Sequence, residues 1–399
     1  MKARWESKPI SEFAKTSAGG TPKKSNKAFY EGGDVPWLLS GEVGQGEITT
    51  AKNFITKEGL AGSSAKVFPR DSVLVAMYGA TAGNAGILRF PAATNQAVCA
   101  ILPNSTYLPE YLYFYLLLAK QELIDQAVGN AQPNISQAKI KATEVPLPPL
   151  EEQKRIVAVL EQAFAALDRA RTHAETNLTN ANELFERVSA KLFDETTDGC
   201  EPRPLGEYAA FRNGLNFSQH SSGQEIRILG VGDFQNHFNV PFEGLKTVRM
   251  EGNLSQADHI QAGDIFAVRS NGNRELIGRV LLADKTDENA SFSGFTIRIR
   301  INSSDLDPQY LCHYLKSADA RKRLVAGGGG ANISNLNQKI LSNLTLGVPD
   351  HNRQQAFVVA MENLAQQTQK LTKVYRDKLS DIEDLRQSLL KKAFSGELT

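Results

Sequence analysis

A cluster of hydrogen-bonding side chains follows an apolar segment in the second half of the chain. Residues 263–268 read Gly-Asp-Ile-Phe-Ala-Val, and the polar residues after them are Arg269, Ser270, Asn271, Asn273 and Arg274. Arginine donates through a planar fork, whereas asparagine both donates and accepts. The mixture of donors and acceptors at the end of a predicted strand indicates a surface that recognises a polar ligand.

The sequence lacks the common motifs for catalysis and metal binding. It contains no phosphate-binding Gly-x-x-x-x-Gly-Lys-Ser/Thr loop, His-Glu-x-x-His, Cys-x-x-Cys, Gly-x-Ser-x-Gly or Asn-Pro-Pro-Tyr-type motif. Its six histidines do not cluster at ligand spacing. The glycine run 327–330 has no following lysine and is predicted to be a loop, as is 129–131. We expect a non-catalytic chain that itself binds no cofactor or metal.

The elements that position these residues occur twice. Gln153, Val157 and Phe193 correspond to Gln354, Val358 and Phe394, each at an offset of 201 residues. Further landmarks recur in the same order: 9–14 with 204–209, 37–43 with 228–234, 70–76 with 263–268, 109–112 with 308–311, and 134–136 with 332–334. A period this long is too large for a solenoid unit and indicates a duplicated domain.

Each copy mixes short apolar β runs, Gly/Asn turns and one or two helices without a regular βαβ rhythm. This predicts a mixed α/β fold. Residues 295–301 (FTIRIRI) alternate apolar and basic side chains, which is typical of a half-exposed strand, and 98–102 form a shorter apolar strand. The predicted domains are a first globular domain at 1–150, a long helix at 151–199, a second globular domain at 200–350 and a second helix at 351–399.

The two helices carry a heptad pattern in the same register. The predicted seam residues are Ile156, Leu160, Leu167, Ala174 and Leu184 in the first helix, and Phe357, Met361, Leu371, Tyr375 and Leu385 in the second. A helix from 151 to 193 would be about 65 Å long at 1.5 Å per residue and needs a partner. We expect the helices to pair as an antiparallel coiled coil, with the globular domains at opposite ends.

Bulk properties restrict the class of protein. The 399 residues carry a net charge of +1, which alone does not indicate a nucleic-acid binder. Any affinity for DNA must then come from local clusters of lysine and arginine or from other subunits. The longest apolar stretch is too short to span a membrane, and we expect no signal peptide at the N-terminus. The scattered Cys99, Cys200 and Cys312 are expected to be free thiols in a reducing cytoplasm.

Two sequence signatures resemble the specificity subunits of type I restriction–modification systems. The first is the helix start at 145–153, Val-Pro-Leu-Pro-Pro-Leu-Glu-Glu-Gln, and the second is the terminal 389–398, Leu-Leu-Lys-Lys-Ala-Phe-Ser-Gly-Glu-Leu. Residues 19–22, Gly-Gly-Thr-Pro, are also familiar from that family. The second helix start, Pro-Asp-His-Asn-Arg-Gln at 349–354, keeps only the first proline and the glutamine.

The resemblance implies a function. Each globular domain would be a target-recognition domain that reads one half of an asymmetric bipartite site in double-stranded DNA, and the helix pair would set the gap between the halves. Two modification subunits would supply S-adenosylmethionine-dependent adenine methylation. Restriction subunits would add translocation and cleavage driven by ATP and Mg²⁺. A pair of unequal copies suits this role, because a symmetric dimer could read only a palindrome.

Base edges are read by arginine, lysine, asparagine, glutamine, serine and threonine side chains. If the ligand is DNA, the candidates in the second copy are Arg212, Asn213, Asn216 and the cluster from Arg269 to Arg274. The candidates in the first copy are Thr21, Lys23, Lys24, Lys27, Ser40, Tyr78, Thr81, Asn84 and Gln96. Lys23 and Lys24 are better placed to contact phosphate, which positions the protein without specifying sequence.

Two other functions are compatible with the sequence. A coiled-coil scaffold whose globular domains bind protein would fit the near-neutral charge, and it would show no salt-dependent affinity for DNA. A nuclease or methyltransferase is disfavoured by the missing motifs, and binding of S-adenosylmethionine by the purified chain would revive it.

Overall fold

The computed structural model describes residues 5–44, 46–125, 134–216, 223–235, 237–250, 254–326 and 335–398. The chain divides into two compact units: Met1–Glu175 with Asp377–Thr399, and Thr176–Arg376. Each unit therefore combines one globular copy with parts of two long helices. The two predicted glycine loops, 129–131 and 327–330, lie outside the described residues.

The α-helices of the described residues range from single turns to two helices of more than 40 residues. They are α1 (Ile10–Phe13), α2 (Lys57–Ala61), α3 (Pro109–Asp125), α4 (Gln137–Ala142), α5 (Leu150–Thr197), α6 (Pro308–Lys316), α7 (Ala318–Ala326), α8 (Gln338–Ser342) and α9 (His351–Phe394). The start of α6 is set by Asp307, whose side chain accepts hydrogen bonds from the backbone N–H groups of Gln309 and Tyr310. Pro308 at the first helical position needs no N–H partner there.

Short strands make up the rest of each copy. In the first copy they are β1 (Ser7–Pro9), β2 (Thr16–Ala18), β3 (Val35–Leu38), β4 (Gly46–Ile48), β5 (Phe54–Ile55), β6 (Val67–Phe68), β7 (Val73–Ala76), β8 (Ala85–Leu88), β9 (Ala92–Thr94), β10 (Val98–Ile101) and β11 (Glu144–Pro146). In the second copy they are β12 (Arg203–Pro204), β13 (Ala209–Asn213), β14 (Gln224–Leu229), β15 (Lys246–Met250), β16 (Ile265–Val268), β17 (Val280–Leu282), β18 (Ala290–Phe292), β19 (Thr296–Ile301) and β20 (Thr345–Leu346).

The same sheet is built in both copies. The main sheet has the order β2-β10-β7-β8-β4 in the first copy and β13-β19-β16-β17 in the second. A second sheet has the order β5-β3-β9-β6 in the first copy and β15-β14-β18 in the second, and the pairs β3–β9 and β14–β18 are both parallel. A two-stranded ribbon, β1–β11 or β12–β20, completes each copy. The prediction of a mixed α/β fold is confirmed.

Central strands of the main sheet are buried on both faces. In β16, Ile265 and Ala267 belong to the core beneath the helices, whereas Phe266 and Val268 belong to a core on the opposite face. The strand β19 pairs with β16, and its first four residues, Thr296 to Ile299, are buried on either face. The prediction that 295–301 form a half-exposed strand is therefore wrong, because Arg298, on the face predicted to be solvated, is 6% exposed and lies over the ring of Phe292 in β18.

The long helices contact each other in antiparallel directions within the first unit. Ile156 and Leu160 of α5 share a core cluster with Leu390 and Phe394 of α9. Further along α5, Asp168 accepts a hydrogen bond from Arg386. Residue numbers thus rise along α5 while they fall along the adjacent part of α9.

The second unit has the same arrangement with the roles of the helices exchanged. The ring of Phe193, near the end of α5, lies edge-on to that of Phe357 with 6.0 Å between the ring centroids. Arg353 Nη2 donates to the backbone carbonyls of Glu195 at 3.1 Å and Asp198 at 3.2 Å. The end of α5 therefore contacts the start of α9, again in antiparallel directions.

The predicted helix seam needs correction at three positions. Ile156, Leu160, Ala174, Phe357 and Met361 are buried, and Leu167 and Tyr375 are half-buried. By contrast Leu184, Leu371 and Leu385 are exposed by 55%, 39% and 48%, while their neighbours Phe185, Thr372 and Arg386 face inward. An α-helix with 3.6 residues per turn drifts about 20° per heptad from a 3.5-residue repeat, so the inward face moves by one position over several turns.

This correction predicts unequal effects of two neighbouring substitutions. Phe185→Ala should lower the free energy of unfolding by about 1–3 kcal/mol, because it removes apolar contacts to the core of the second unit. Leu184→Ala should change it by less than about 0.5 kcal/mol. Urea denaturation followed by circular dichroism measures both values. Equal losses of unfolding free energy for the two variants would instead support the predicted heptad seam, with Leu184 facing inward.

One landmark of the repeat also needs correction. Ser136 accepts a hydrogen bond from the backbone of Lys139 at the start of α4, and Asn337 does the same for Ile340 at the start of α8. Residues 134–136 therefore correspond to 335–337, the same 201-residue offset as in the long helices, and not to 332–334, which lie outside the described residues. In the described part of the chain, no helix is long and apolar enough to cross a membrane.

Candidate nucleic-acid interface

Four segments of the first copy converge at one end of its two sheets. The backbone N–H of Gly20, after β2, donates to Thr94 at 2.9 Å, and the N–H of Asn95 donates to Leu38 at the end of β3, also at 2.9 Å. The N–H of Met77, after β7, donates to Ala97 at 2.8 Å. We call this end of the first copy, formed by 19–21, 38–44, 77–84 and 94–97, edge 1.

Six predicted residues of the first copy lie on edge 1: Thr21, Ser40, Tyr78, Thr81, Asn84 and Gln96. The hydroxyl of Thr21 donates to the side-chain carbonyl of Gln96, so these two residues are in direct contact. The ring of Tyr78 is 40% exposed. Edge 1 therefore presents hydroxyl, amide and aromatic groups side by side.

The three predicted lysines lie on the segment that leaves edge 1. Lys23, Lys24 and Lys27 are exposed, and Lys27 Nζ lies 3.9 Å from Glu31. Exposed lysines beside a row of uncharged hydrogen-bonding groups suit contacts to phosphate, which add affinity without specificity.

The corresponding end of the second copy is built by the same backbone hydrogen bonds. The N–H of Leu215 donates to Phe292 at 2.8 Å, that of Ser293 to Leu229 at 2.9 Å, and that of Arg269 to Phe295 at 2.8 Å. We call this end, formed by 213–216, 229–234, 269–274 and 292–295, edge 2. The fold therefore presents the same platform twice, with different side chains.

The predicted residues of the second copy occupy edge 2 in different ways. Arg269 is half-buried and its Nη1 lies 3.5 Å from the carbonyl of Gly294, while Ser270 bridges to Asn335. Asn213, Asn216 and Arg274 are exposed.

Three of the predicted side chains of the second copy have structural partners. Asn271 accepts from the N–H of Asn273, and Asn273 from that of Glu275, so both shape the turn. Arg212 Nε donates to Asp258 at 2.7 Å, which ties it to the protein.

A carboxylate closes the same turn in each copy. Glu42, which is 7% exposed, accepts from the N–H of Leu39 at 2.9 Å and of Lys52 at 3.0 Å. Asp233 accepts from the N–H of Gly230 at 2.8 Å. These carboxylates hold the segments after β3 and β14 in place on the two edges, so the landmark at 37–43 and 228–234 positions the surface.

Sequence reasoning missed Phe295. Its ring is 61% exposed on edge 2, although alternation with Ile297 and Ile299 placed it on the buried face. The strand begins only at Thr296, and Phe295 belongs to the turn before it. An adjacent glycine, Gly294, was the available signal that the strand had not yet begun.

Histidine, cysteine, aspartate and glutamate side chains are spread over the described residues. No cluster of three histidine, cysteine, aspartate or glutamate side chains that could hold a metal ion is present in this part of the chain. Burial raises the pKa of the thiols of Cys99 and Cys312 to about 12, so these thiols are not nucleophiles near neutral pH.

Comparison with known proteins identifies the family. A family model described as "Type I restriction modification DNA specificity domain" matches residues 2–176 and again 198–380. The specificity subunit of the type I restriction enzyme StySPI from Salmonella potsdam is 23% identical over 99% of this chain and 89% of its own length. The EcoKI specificity subunit from Escherichia coli K12 is 24% identical, with the same coverage of both chains.

Solved structures share the fold. A chain of the structure described as "Structural basis underlying complex assembly and conformational transition of the type I R-M system" has a TM-score of 0.78, covers 99% of both chains and is 19% identical. The HsdS subunit from Thermoanaerobacter tengcongensis has a TM-score of 0.59 and is also 19% identical, over 100% of this chain and 98% of that one. The chain therefore belongs to the family of type I restriction–modification specificity subunits.

Proposed function

We propose that this chain is the DNA-recognition subunit of a type I restriction–modification complex, and that edges 1 and 2 each read one half of an asymmetric bipartite site. The observation that carries the proposal is the repetition of one backbone platform with two sets of side chains. Gly20 in the first copy and Leu215 in the second make equivalent backbone hydrogen bonds, and so do Met77 and Arg269. The side chains differ, because Tyr78 in the first copy corresponds to Ser270 in the second. Two similar backbone platforms with different side chains suit the recognition of two half-sites that differ in base sequence.

Membership of the family also suggests roles for the domains and the long helices, and it suggests partner subunits. Residues 1–150 and 200–350 would form the two target-recognition domains, and α5 and α9 would set the gap between the half-sites. Two modification subunits would bind along the helices and use S-adenosylmethionine, and restriction subunits would use ATP and Mg²⁺. The chain itself would be non-catalytic and would act on genomic DNA in the cytoplasm.

The test is a map of N6-methyladenine across the host genome by single-molecule sequencing, with and without the gene. Deletion is expected to abolish methylation of one asymmetric bipartite motif, and a plasmid copy is expected to restore it. This outcome would also give the base sequences of both half-sites. An active methyltransferase partner whose methylated motif does not change on deletion would contradict the proposal.

Arg269→Ala should weaken binding to one half-site only. The guanidinium lies on edge 2, and a bidentate arginine–guanine contact contributes about 1–3 kcal/mol of discrimination. Binding of the assembled modification complex is measured on duplexes with either half-site scrambled. The control is Arg249→Ala, because Arg249 pairs with Glu225 at the other end of β14. Equal loss on unrelated DNA would identify Arg269 as a phosphate contact.

A further inference from the structure

We propose that Phe295 reads the C5-methyl group of a thymine in the half-site bound by edge 2. The inference rests on the proposed function and names one base-specific contact within it. The exposed ring of Phe295 lies among side chains that suit base edges.

The fold holds Phe295 in place with its ring outward. Residues 293–296 form a turn in which the backbone N–H and the hydroxyl of Thr296 both donate to the carbonyl of Ser293, at 2.9 and 2.8 Å. Ser293 and Thr296 are buried, while Phe295 between them is 61% exposed. The carbonyl of Phe295 accepts from the N–H groups of Arg269 at 2.8 Å and Ser270 at 3.3 Å. The backbone is thereby fixed, and little ordering is required when the ring contacts a ligand.

The surroundings of the ring favour a contact in the major groove. Arg269 Nη1 reaches the carbonyl of Gly294 next to Phe295, and Asn216 and Ser270 lie on the same edge. Arginine and asparagine pair with the guanine and adenine edges that the major groove displays. The thymine methyl is the apolar group in that groove, and phenylalanine is one of the residues that contact it.

The first copy has the same turn without the ring. The N–H of Val98 donates to Asn95 at 3.2 Å, as Thr296 donates to Ser293, and Ala97 occupies the place of Phe295. Ala97 is 8% exposed. The contact is therefore specific to the second copy, which is expected of a residue that distinguishes one half-site word from the other.

The test removes the methyl group from the DNA and the ring from the protein. The assembled modification complex is bound to duplexes in which each thymine of the edge 2 half-site is replaced singly by uracil, which deletes only the methyl group. At one position, uracil should weaken binding of the unchanged complex about three- to tenfold, consistent with the loss of one buried methyl group. With Phe295→Ala, binding should be weaker by a similar factor and should no longer respond to uracil at that position.

Controls separate this contact from other causes. Phe295→Ala should leave the melting temperature nearly unchanged, because the ring is exposed. Phe54→Ala removes a ring that is 44% exposed on β5, at the far end of β3 from edge 1, and it should retain full sensitivity to uracil.

Two outcomes would overturn the inference. In the first, the Phe295→Ala complex still binds more weakly at every position where uracil weakens binding of the unchanged complex. In the second, Phe295→Ala weakens binding equally on DNA that lacks the half-site, as loss of a non-specific contact would. The proposed function survives both, since the unchanged complex still binds its bipartite motif. A complex without any sequence preference would instead refute the proposed function.

Discussion

Replacing Asp264 by alanine is expected to lower the free energy of unfolding by about 3–5 kcal/mol, because it removes the buried carboxylate that offsets the charges of the buried Arg298 and the partly buried Arg300. Asp264 is 1% exposed and accepts two hydrogen bonds from Arg300, at 2.6 and 2.7 Å. Arg298 Nε lies 4.0 Å away, and the side chain of Arg298 is 8% exposed. Burial lowers the pKa of Arg298, and Asp264 counteracts that shift. Removing the carboxylate therefore removes the ion-pair partner of Arg300 and a negative charge that favours the charged form of Arg298.

Denaturant unfolding followed by circular dichroism measures the effect. The matched control is Glu225→Ala, which breaks an ion pair with Arg249 in the same copy. Both partners of that pair are about 60% exposed, so the loss should stay below about 1 kcal/mol. Asp264→Asn keeps the size of the side chain but not its charge, and it should also cost several times more than the control. Similar losses of unfolding free energy for Asp264→Ala and Glu225→Ala would show that the ion pairs of Asp264 are as solvated as a surface pair.

Replacing Gln153 or Gln354 by alanine is expected to lower the free energy of unfolding by about 2–3 kcal/mol. Both side chains are fully buried at the start of a long helix. Gln153 accepts from the N–H of Leu108 at 2.9 Å and donates to the carbonyls of Thr106 and Pro148, at 3.2 and 3.0 Å. The substitution loses three hydrogen bonds and leaves the partly buried N–H of Leu108 without its acceptor.

The second copy repeats this network, although its helix start retains little of the first copy's sequence. Gln354 accepts from the N–H of Asp307 at 2.8 Å and donates to the carbonyls of Asp305 and Pro349, both at 2.7 Å. In both copies the glutamine ties the helix start to the turn before α3 or α6. The glutamine therefore joins the globular domain to the long helix in both copies.

Neighbouring glutamines provide the controls. Gln162 and Gln355 are exposed on the same two helices, and their replacement by alanine should cost less than about 0.5 kcal/mol. Gln153→Glu should be at least as harmful as Gln153→Ala, because a carboxylate cannot donate to the carbonyls of Thr106 and Pro148. A tolerated Gln153→Glu would mean that the side chain fills space and does not act through its amide.

Features that depend on local pattern could be predicted from the sequence. The repeat offset of 201 residues, the two long helices and the mixed α/β class follow from periodicity and composition. Many candidate recognition residues also lie together, since Thr21, Tyr78 and Gln96 share edge 1 while Arg269 and Ser270 share edge 2. Polar residues directly after buried strands indicated these edges.

Features that depend on what covers an element could not be predicted. Alternation in 295–301 indicated one solvated face, but Arg298 on that face is 6% exposed and lies over Phe292 of the second sheet, and Asp264 pairs with Arg300. The same alternation placed Phe295 inside, whereas the turn at 293–296 directs it outward.

The sequence by itself thus determined the duplication, the fold class and the family, because these depend on periodic patterns and local motifs that each copy carries along the chain. The tertiary structure decided which face of each long helix is buried, which ion pairs are internal and which aromatic ring is exposed. The physical reason is that these properties are set by residues distant in the chain, as Asp264 is from Arg300 and Arg386 from Asp168, whose contacts form only when the sheets and helices pack.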